Sequence, residues 1–217
     1  MKSDCFDVRW LGRIHYEKAL ELQERLWTER LNDEISDTLL LLEHDPVYTI
    51  GRTSDRSSLP EDPKTLPHPL IEISRGGQAT YHGPGQLIGY GIFNLRNYGQ
   101  DLHTYLRALE ESLISLTESL GLSAQRRDGL TGVWCEDRKI ASIGVGVRRW
   151  VSMHGFALNV YQDLRGFEAI TPCGIQEVAM TSIPQELPDS EVTLERLAEV
   201  YPMHLQAALL PLRCAGG

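Results

Sequence analysis

Lysine is scarce in this chain. Lys and Arg together number 21; Lys2, Lys18, Lys64 and Lys139 are the four lysines, which leaves 17 arginines. Cysteine is sparse too, with Cys5, Cys135, Cys173 and Cys214 scattered and no C-x-x-C pair. The opening MKSDCFDVRWLGRIHYEKAL lacks the apolar core of a signal peptide. Together these argue for reduced thiols, against disulfides and against a structural zinc, and the expected compartment is cytoplasmic. No run approaches the ~18 apolar residues of a membrane span, so no membrane partner is expected. Positive charge is in deficit, with a formal net of −9, which argues against nucleic acid. Neither common phosphate cradle occurs: there is no G-x-x-x-x-G-K-[ST], and no G-x-G-x-x-G closing a βαβ unit. The local signature of a Cys/His protease is missing as well.

What remains reads as one globular domain over residues 1–217. With 41% hydrophobic and 24% charged residues it can bury a proper core, and nothing asks for an obligate oligomer, so a monomer is expected. Residues 6–11 alternate as a short strand. Residues 15–31 carry an amphipathic helical pattern, and 38–42 and 47–50 read as strands either side of a His44-Asp45-Pro46 turn. Residues 51–69, divided by Pro60, Pro63, Pro67 and Pro69, form a long loop that is either mobile or functional, with a lid one reading of it. Residues 70–73 form another strand. Leu102, Leu106, Leu109, Leu113, Leu116 and Leu120 then recur at helical spacing, with Gly121 where a C-terminal cap belongs. Three apolar runs, 132–135, 140–147 and 151–160, separated by short polar turns, predict an antiparallel meander. Residues 193–210 predict a helix interrupted near Pro202. The expected class is α/β or α+β on a largely antiparallel sheet flanked by helices.

The chain is organised around residues 75–93, RGGQATYHGPGQLIGYGIF, which hold six of the 19 glycines. Such clustering marks either a turn between strands or a place where backbone approaches a ligand closely. Lys139 begins the strand Lys139-Ile140-Ala141-Ser142-Ile143-Gly144. An exposed, idle lysine is the ordinary reading there, but beside a cysteine an ammonium favours the nucleophilic thiolate. Cys173 sits in Thr171-Pro172-Cys173-Gly174, a setting that presents a side chain or simply packs it. His82 and His154 are the histidines to weigh, and either is explained equally by the core. Residues 126–165 hold seven basic and four acidic side chains, a local +3 that fits a solvated face or a dock for an acidic partner.

Taken together, these segments resemble the lipoyl(octanoyl) transferase, or octanoyltransferase, family. The resemblance rests on Arg75-Gly76-Gly77-Gln78-Ala79-Thr80-Tyr81-His82-Gly83-Pro84-Gly85-Gln86 followed by Tyr90. It rests also on Gly132-Val133-Trp134 with Arg138-Lys139-Ile140-Ala141-Ser142-Ile143-Gly144, on Met153-His154-Gly155-Phe156-Ala157-Leu158-Asn159, and on Thr171-Pro172-Cys173-Gly174-Ile175. It spans roughly residues 39–183 with no departure at a key position. The resemblance implies a single domain folded like the biotin and lipoate protein ligases. It implies transfer of an octanoyl group from the thiol of acyl carrier protein to a lysine of lipoyl domains, those of 2-oxoacid dehydrogenase E2 subunits and of glycine cleavage H protein. This is the first step of endogenous protein lipoylation. By the same resemblance Cys173 is the acyl-thioester residue and Lys139 the lysine that tunes it. Arg75 to His82, Ser142 to Gly144 and Gly155 to Ala157 would cradle the substrate, with no cofactor, ATP or metal.

Two rivals follow from the same residues. An ATP-dependent lipoate or biotin protein ligase shares the lysine strand and the glycine loop but needs no nucleophilic cysteine. A non-catalytic module that only binds carrier protein or lipoyl domain would have no use for both Lys139 and Cys173.

Overall fold

The structure is a computed structural model that describes residues 6–52, 55–161, 163–171 and 178–214. In chain order its elements are β1 (Asp7–Ile14), α1 (Tyr16–Leu31), β2 (Thr38–His44), β3 (Val47–Ile50), β4 (Leu70–Glu72), β5 (Thr80–His82) and β6 (Gln86–Ile92). There follow α2 (Leu102–Ser119), β7 (Gln125–Arg127), β8 (Leu130–Cys135), β9 (Arg138–Arg148), β10 (Val151–Asn159), α3 (Ile183–Glu186) and α4 (Leu194–Cys214). Seven strands form one sheet in the order β1-β2-β6-β10-β9-β8-β7, antiparallel at every pairing except β1 with β2. A second sheet, β4-β3-β5, pairs β3 parallel with β4 and antiparallel with β5. The mixed class with a large antiparallel sheet is thus as expected. The three-residue β7 and the separate small sheet are additions.

The sheet is covered on both faces. The leucine stripe of α2 buries Leu109, Leu113 and Leu116 together with Leu197, Tyr201, Leu205 and Leu209 of α4 and with Phe156 and Leu158 of β10. On the other face Ala19 and Leu26 of α1 pack on Leu40, Leu42, Ile88 and Ile92. The ends of α2 are fixed as its sequence asks. The Asp101 side chain accepts from the Thr104 N–H at the start, and Gly121, at φ +85°, follows the last turn.

The predicted break in the C-terminal helix does not occur: α4 runs unbroken through Pro202 and Pro211. Each proline forfeits one backbone hydrogen bond, a cost of about 3 kcal/mol in an isolated helix. Four fully buried side chains on the face toward α2, and the bond of 2.9 Å between the Tyr201 and Ser112 hydroxyls, outweigh it. The 51–69 loop also differs from the lid reading. Its Leu59 and Leu66 pack on the small-sheet cluster of Tyr48, Ile50 and Tyr81. Its fully buried Ser58 donates to Gln78 Oε1 and accepts the Ala79 N–H. The loop props up the glycine-rich segment from beneath. Among the described residues no helix is long and apolar enough to cross a membrane.

Candidate active site

A cavity of about 300 Å³ opens on the α1 side of the main sheet, between β9, β10 and the segment 73–82. Glycines make it possible. A Cβ on Gly144 would lie 2.8 Å from Arg75 Cδ, and one on Gly146 would lie 2.4 Å from the Ser74 carbonyl oxygen. The 74–77 segment therefore crosses directly over β9, with the Gly76 N–H donating to the Val145 carbonyl at 3.2 Å. That crossing closes one end of the cavity.

Lys139 stands toward the other end. In a regular strand it would share a face with Ala141 and Val145, which pack in the α2–α4 core. The register between β8 and β9 slips, however, from Val133↔Ala141 to Trp134↔Lys139, so that β9 carries one extra residue there. This bulge turns Lys139 to the side of Ser142 and Gly144, where it lines the cavity. Its aliphatic stem crosses Gly132, where an added Cβ would come within 2.6 Å of Lys139 Cε, and its Nζ lies 5.1 Å from the centre of the Trp134 ring. The backbone of Lys139 is tied to residues that follow Cys173 in the chain: its N–H donates to the Ala179 carbonyl at 2.8 Å, and its carbonyl accepts from the Thr181 N–H at 2.9 Å.

A second irregularity lies on β10. His154 is paired with Val145, whose side chain belongs to the opposite face, yet His154 lines the cavity. Its φ of +61° makes the difference, a value rare for any residue with a side chain. Its N–H leaves the sheet to donate to Gln23 Oε1 of α1, and its ring lies edge-on to Tyr90, centroids 6.1 Å apart. Both ring nitrogens are buried without a protein partner. The Thr80 hydroxyl, also on the cavity wall, is in the same position.

Two chains of hydrogen bonds run back from this end. His44 Nδ1–H donates to the Ile14 carbonyl at 2.9 Å, so its Nε2 accepts from the Tyr90 hydroxyl at 2.7 Å. In the other chain Arg75 donates to the Thr49 carbonyl and hydroxyl, both at 3.0 Å, and that hydroxyl donates to His82 Nε2. His82 Nδ1–H donates to Gln86 Oε1 at 2.8 Å, Gln86 Nε2 to Asn159 Oδ1 at 2.9 Å, and Asn159 Nδ2 to the Thr181 carbonyl at 2.8 Å. The histidines stay neutral in this setting. Burial, then the neighbouring His44, pushes His82 down to about 3. Burial pushes His44 to about 4, and burial with the Arg75 charge does the same for His154. Burial raises Tyr16, which also lines this end, to about 12.

Of the residues singled out from sequence, Lys139, Arg75, Gly77, Gln78, Thr80, His82, Ser142, Ile143, Gly144, Gly155, Phe156 and Ala157 meet at this cavity. Gly76, Ala79 and Tyr81 do not line it. Strand alternation on β5 sends Thr80 and His82 inward and Tyr81 outward, where its ring packs under Gly166 and against Phe167. Ala79 is buried behind the wall, and Gly76 meets the cavity's roof only through its backbone. Cys173 lies outside the described residues. Tyr16 went unsignalled, because a tyrosine opening an amphipathic helix looks like any other core contact. Of the seven basic residues in the span 126–165, three pair with carboxylates: Arg126 with Glu110 and Glu111, Arg138 with Glu186, and Arg165 with Asp163, while Arg148 stacks on Trp27.

The family model of the lipoyl protein ligase A/B catalytic domain matches residues 15–206. An octanoyltransferase of Synechococcus elongatus is 47% identical over 208 residues, covering 93% of this chain and 89% of that protein. An octanoyltransferase of Geobacter sulfurreducens is 53% identical over 176 residues, covering 81% and 73%. Among solved structures, a putative lipoate protein ligase of Thermoplasma acidophilum with bound lipoic acid superposes with a TM-score of 0.69 at 17% identity, covering 94% and 86%. Biotin protein ligase from Aquifex aeolicus gives 0.56 at 14%, covering 95% and 70%. The last two establish the shared fold.

Proposed function

The chain belongs to the octanoyltransferase family within the lipoyl protein ligase A/B catalytic domains, and on that premise we propose that it moves an octanoyl group from acyl carrier protein to a lysine of a lipoyl domain through a thioester on Cys173. Lys139 takes the Cys173 thiol proton. The thiolate attacks the carbonyl carbon of the donor thioester, the tetrahedral intermediate collapses, and Lys139 returns the proton to the departing carrier thiol. The lipoyl-domain amine then attacks the acyl-enzyme, its proton passes to Lys139, and the Cys173 thiol leaves. The first exchange, thioester for thioester, is near balance; amide formation drives the second.

The observation that carries this reading is the bulge that turns a lysine into an otherwise largely apolar cavity while binding its backbone to residues 179 and 181. The site offers one amine at the working end, and an eight-carbon chain has Ile73, Leu130 and Ala157 among the lining to lie against. Intact mass after mixing the protein with octanoyl-loaded carrier protein, without ATP, tests it. The expected result is an octanoyl adduct on the wild type, removed by lipoyl domain, and none on Cys173→Ala. Transfer seen only with free octanoate and ATP would make the protein a ligase instead.

A further inference from the structure

We propose that His154 sets the length of acyl chain the cavity accepts, forming with Tyr16 and Arg75 a polar wall against which the methyl end of the chain stops. This rests on the reading that the cavity holds the acyl group with its carbonyl toward Lys139. The register of the sheet gives the geometry. His154 is paired with Val145 of β9, and Lys139 is the second residue of the same strand. From Lys139 to Gly144 is about 13 Å at the usual ~3.3 Å per strand residue, the bulge taking one of the five steps out of the ladder. On β9 between them only Ser142 is polar; the end beyond carries Tyr16, Arg75 and His154.

At that end the imidazole is buried to 2% exposure, and neither ring nitrogen has a partner in the protein. The ring is there because the backbone departs from the strand conformation at this one residue of β10, and the Gln23 side chain holds it so. A histidine merely filling the core would point to the α2–α4 face, as its strand partner Val145 does, and would have its nitrogens satisfied. Behind it the cavity is sealed by the crossing of 74–77 over Gly144 and Gly146. A chain too long for the apolar stretch must press methylenes against unpaired nitrogens, a contact worse for hydrocarbon than the water it left. A chain of the right length stops short of them. The ligand class selected is a straight, saturated chain of medium length.

Glycine is the informative substitution, since a φ of +61° costs it nothing while the wall is removed. Wild type, His154→Gly and His154→Asn would be assayed for transfer from carrier protein loaded with hexanoyl, octanoyl, decanoyl or dodecanoyl groups, with kcat/KM read for each. One methylene against a fitted wall is worth roughly tenfold or more in discrimination. Decanoyl is longer than octanoyl by two methylenes, so the decanoyl-to-octanoyl ratio should rise by at least about tenfold in His154→Gly. His154→Asn, small but polar and tolerant of positive φ, should fall between, and gives the same reading if the glycine protein folds poorly. Equal losses for all chains, with the ratio unmoved, would overturn the proposal and leave the transferase reading intact. A wild type that transfers none of the chains would overturn both.

Discussion

Lys139 and His154 both face the cavity against the alternation of their strands, by different means. A one-residue bulge rotates Lys139, and a left-handed backbone rotates His154. Each costs stability, about 1–3 kcal/mol for a strained non-glycine residue, and such costs persist where a site needs the side chain. Gly132 shows how narrowly the lysine is placed. Its φ is +130°, and a Cβ there would lie 2.6 Å from both Lys139 Cε and the Ala141 carbonyl oxygen. Gly132→Ala should therefore act on the lysine as well as on the backbone: kcat should fall at least roughly tenfold, about 1.4 kcal/mol of misplacement, while the protein still folds. Comparing kcat with the thermal midpoint checks this. Full activity in a folded Gly132→Ala protein would mean that the stem of Lys139 is free to move aside, and that its position is not what the site depends on.

The elements around the site are joined less by strands than by a single line of side chains. From Arg75 through Thr49, His82, Gln86 and Asn159 it ends on the Thr181 carbonyl, and Thr181 is bonded in turn to the backbone of Lys139. β5, β6, β10 and the stretch after residue 178 are thereby held in one register. Asn159→Ala would leave the Thr181 carbonyl buried and unpaired and the Gln86 amide with only its long 3.5 Å bond to the Tyr81 carbonyl, at about 1–3 kcal/mol for each lost bond. A drop of the order of 5–10 °C in Tm is expected for a chain of this size, with a loss of kcat larger than the change in KM. An unshifted Tm would mean that the line is not coupled to folding. None of this was legible in the sequence. What was legible were features with a period or a motif: the leucine stripe of α2, the β8–β10 meander, and the glycine-rich segment 75–93 as a place of close backbone approach. Bulges depend on the partner strand, and so the sides taken by Lys139 and His154 could not be read. The same holds for α4, where Pro202 marks a break by local rules and packing against α2 overrides them. β7, three polar residues long, has no pattern to detect.

Across the whole molecule the unusual feature is three buried, uncharged histidines, His44, His82 and His154, within one cluster of rings. The groups facing them come from α1 (Tyr16 and Glu17), the turn after β2 (Asp45), β3 (Thr49), the 75–77 segment (Arg75), and β6 (Gln86 and Tyr90); Arg75 supplies the positive charge, and Glu17 and Asp45 the negative charge that acts on His44. Burial is what lowers all three to about 3 to 4; the Arg75 charge adds to it for His82 and His154, while the Asp45 and Glu17 carboxylates pull His44 part of the way back up. In the unfolded chain each returns to near 6.5. Above that pH both states are neutral and nothing is lost. As pH falls below 6.5 the unfolded state takes up protons that the folded state refuses, and stability declines until the folded histidines titrate. Each contributes about 1.4 kcal/mol per pH unit in that window, so roughly 4 kcal/mol per unit for the three. Denaturant midpoints measured from pH 7.5 to 5 should drop steeply below 6.5, while a protein carrying His44→Gln should lose about a third of that slope. A flat profile down to pH 5 would show that the cluster accepts protons in place, and with that the neutral wall at the end of the cavity would have to be given up.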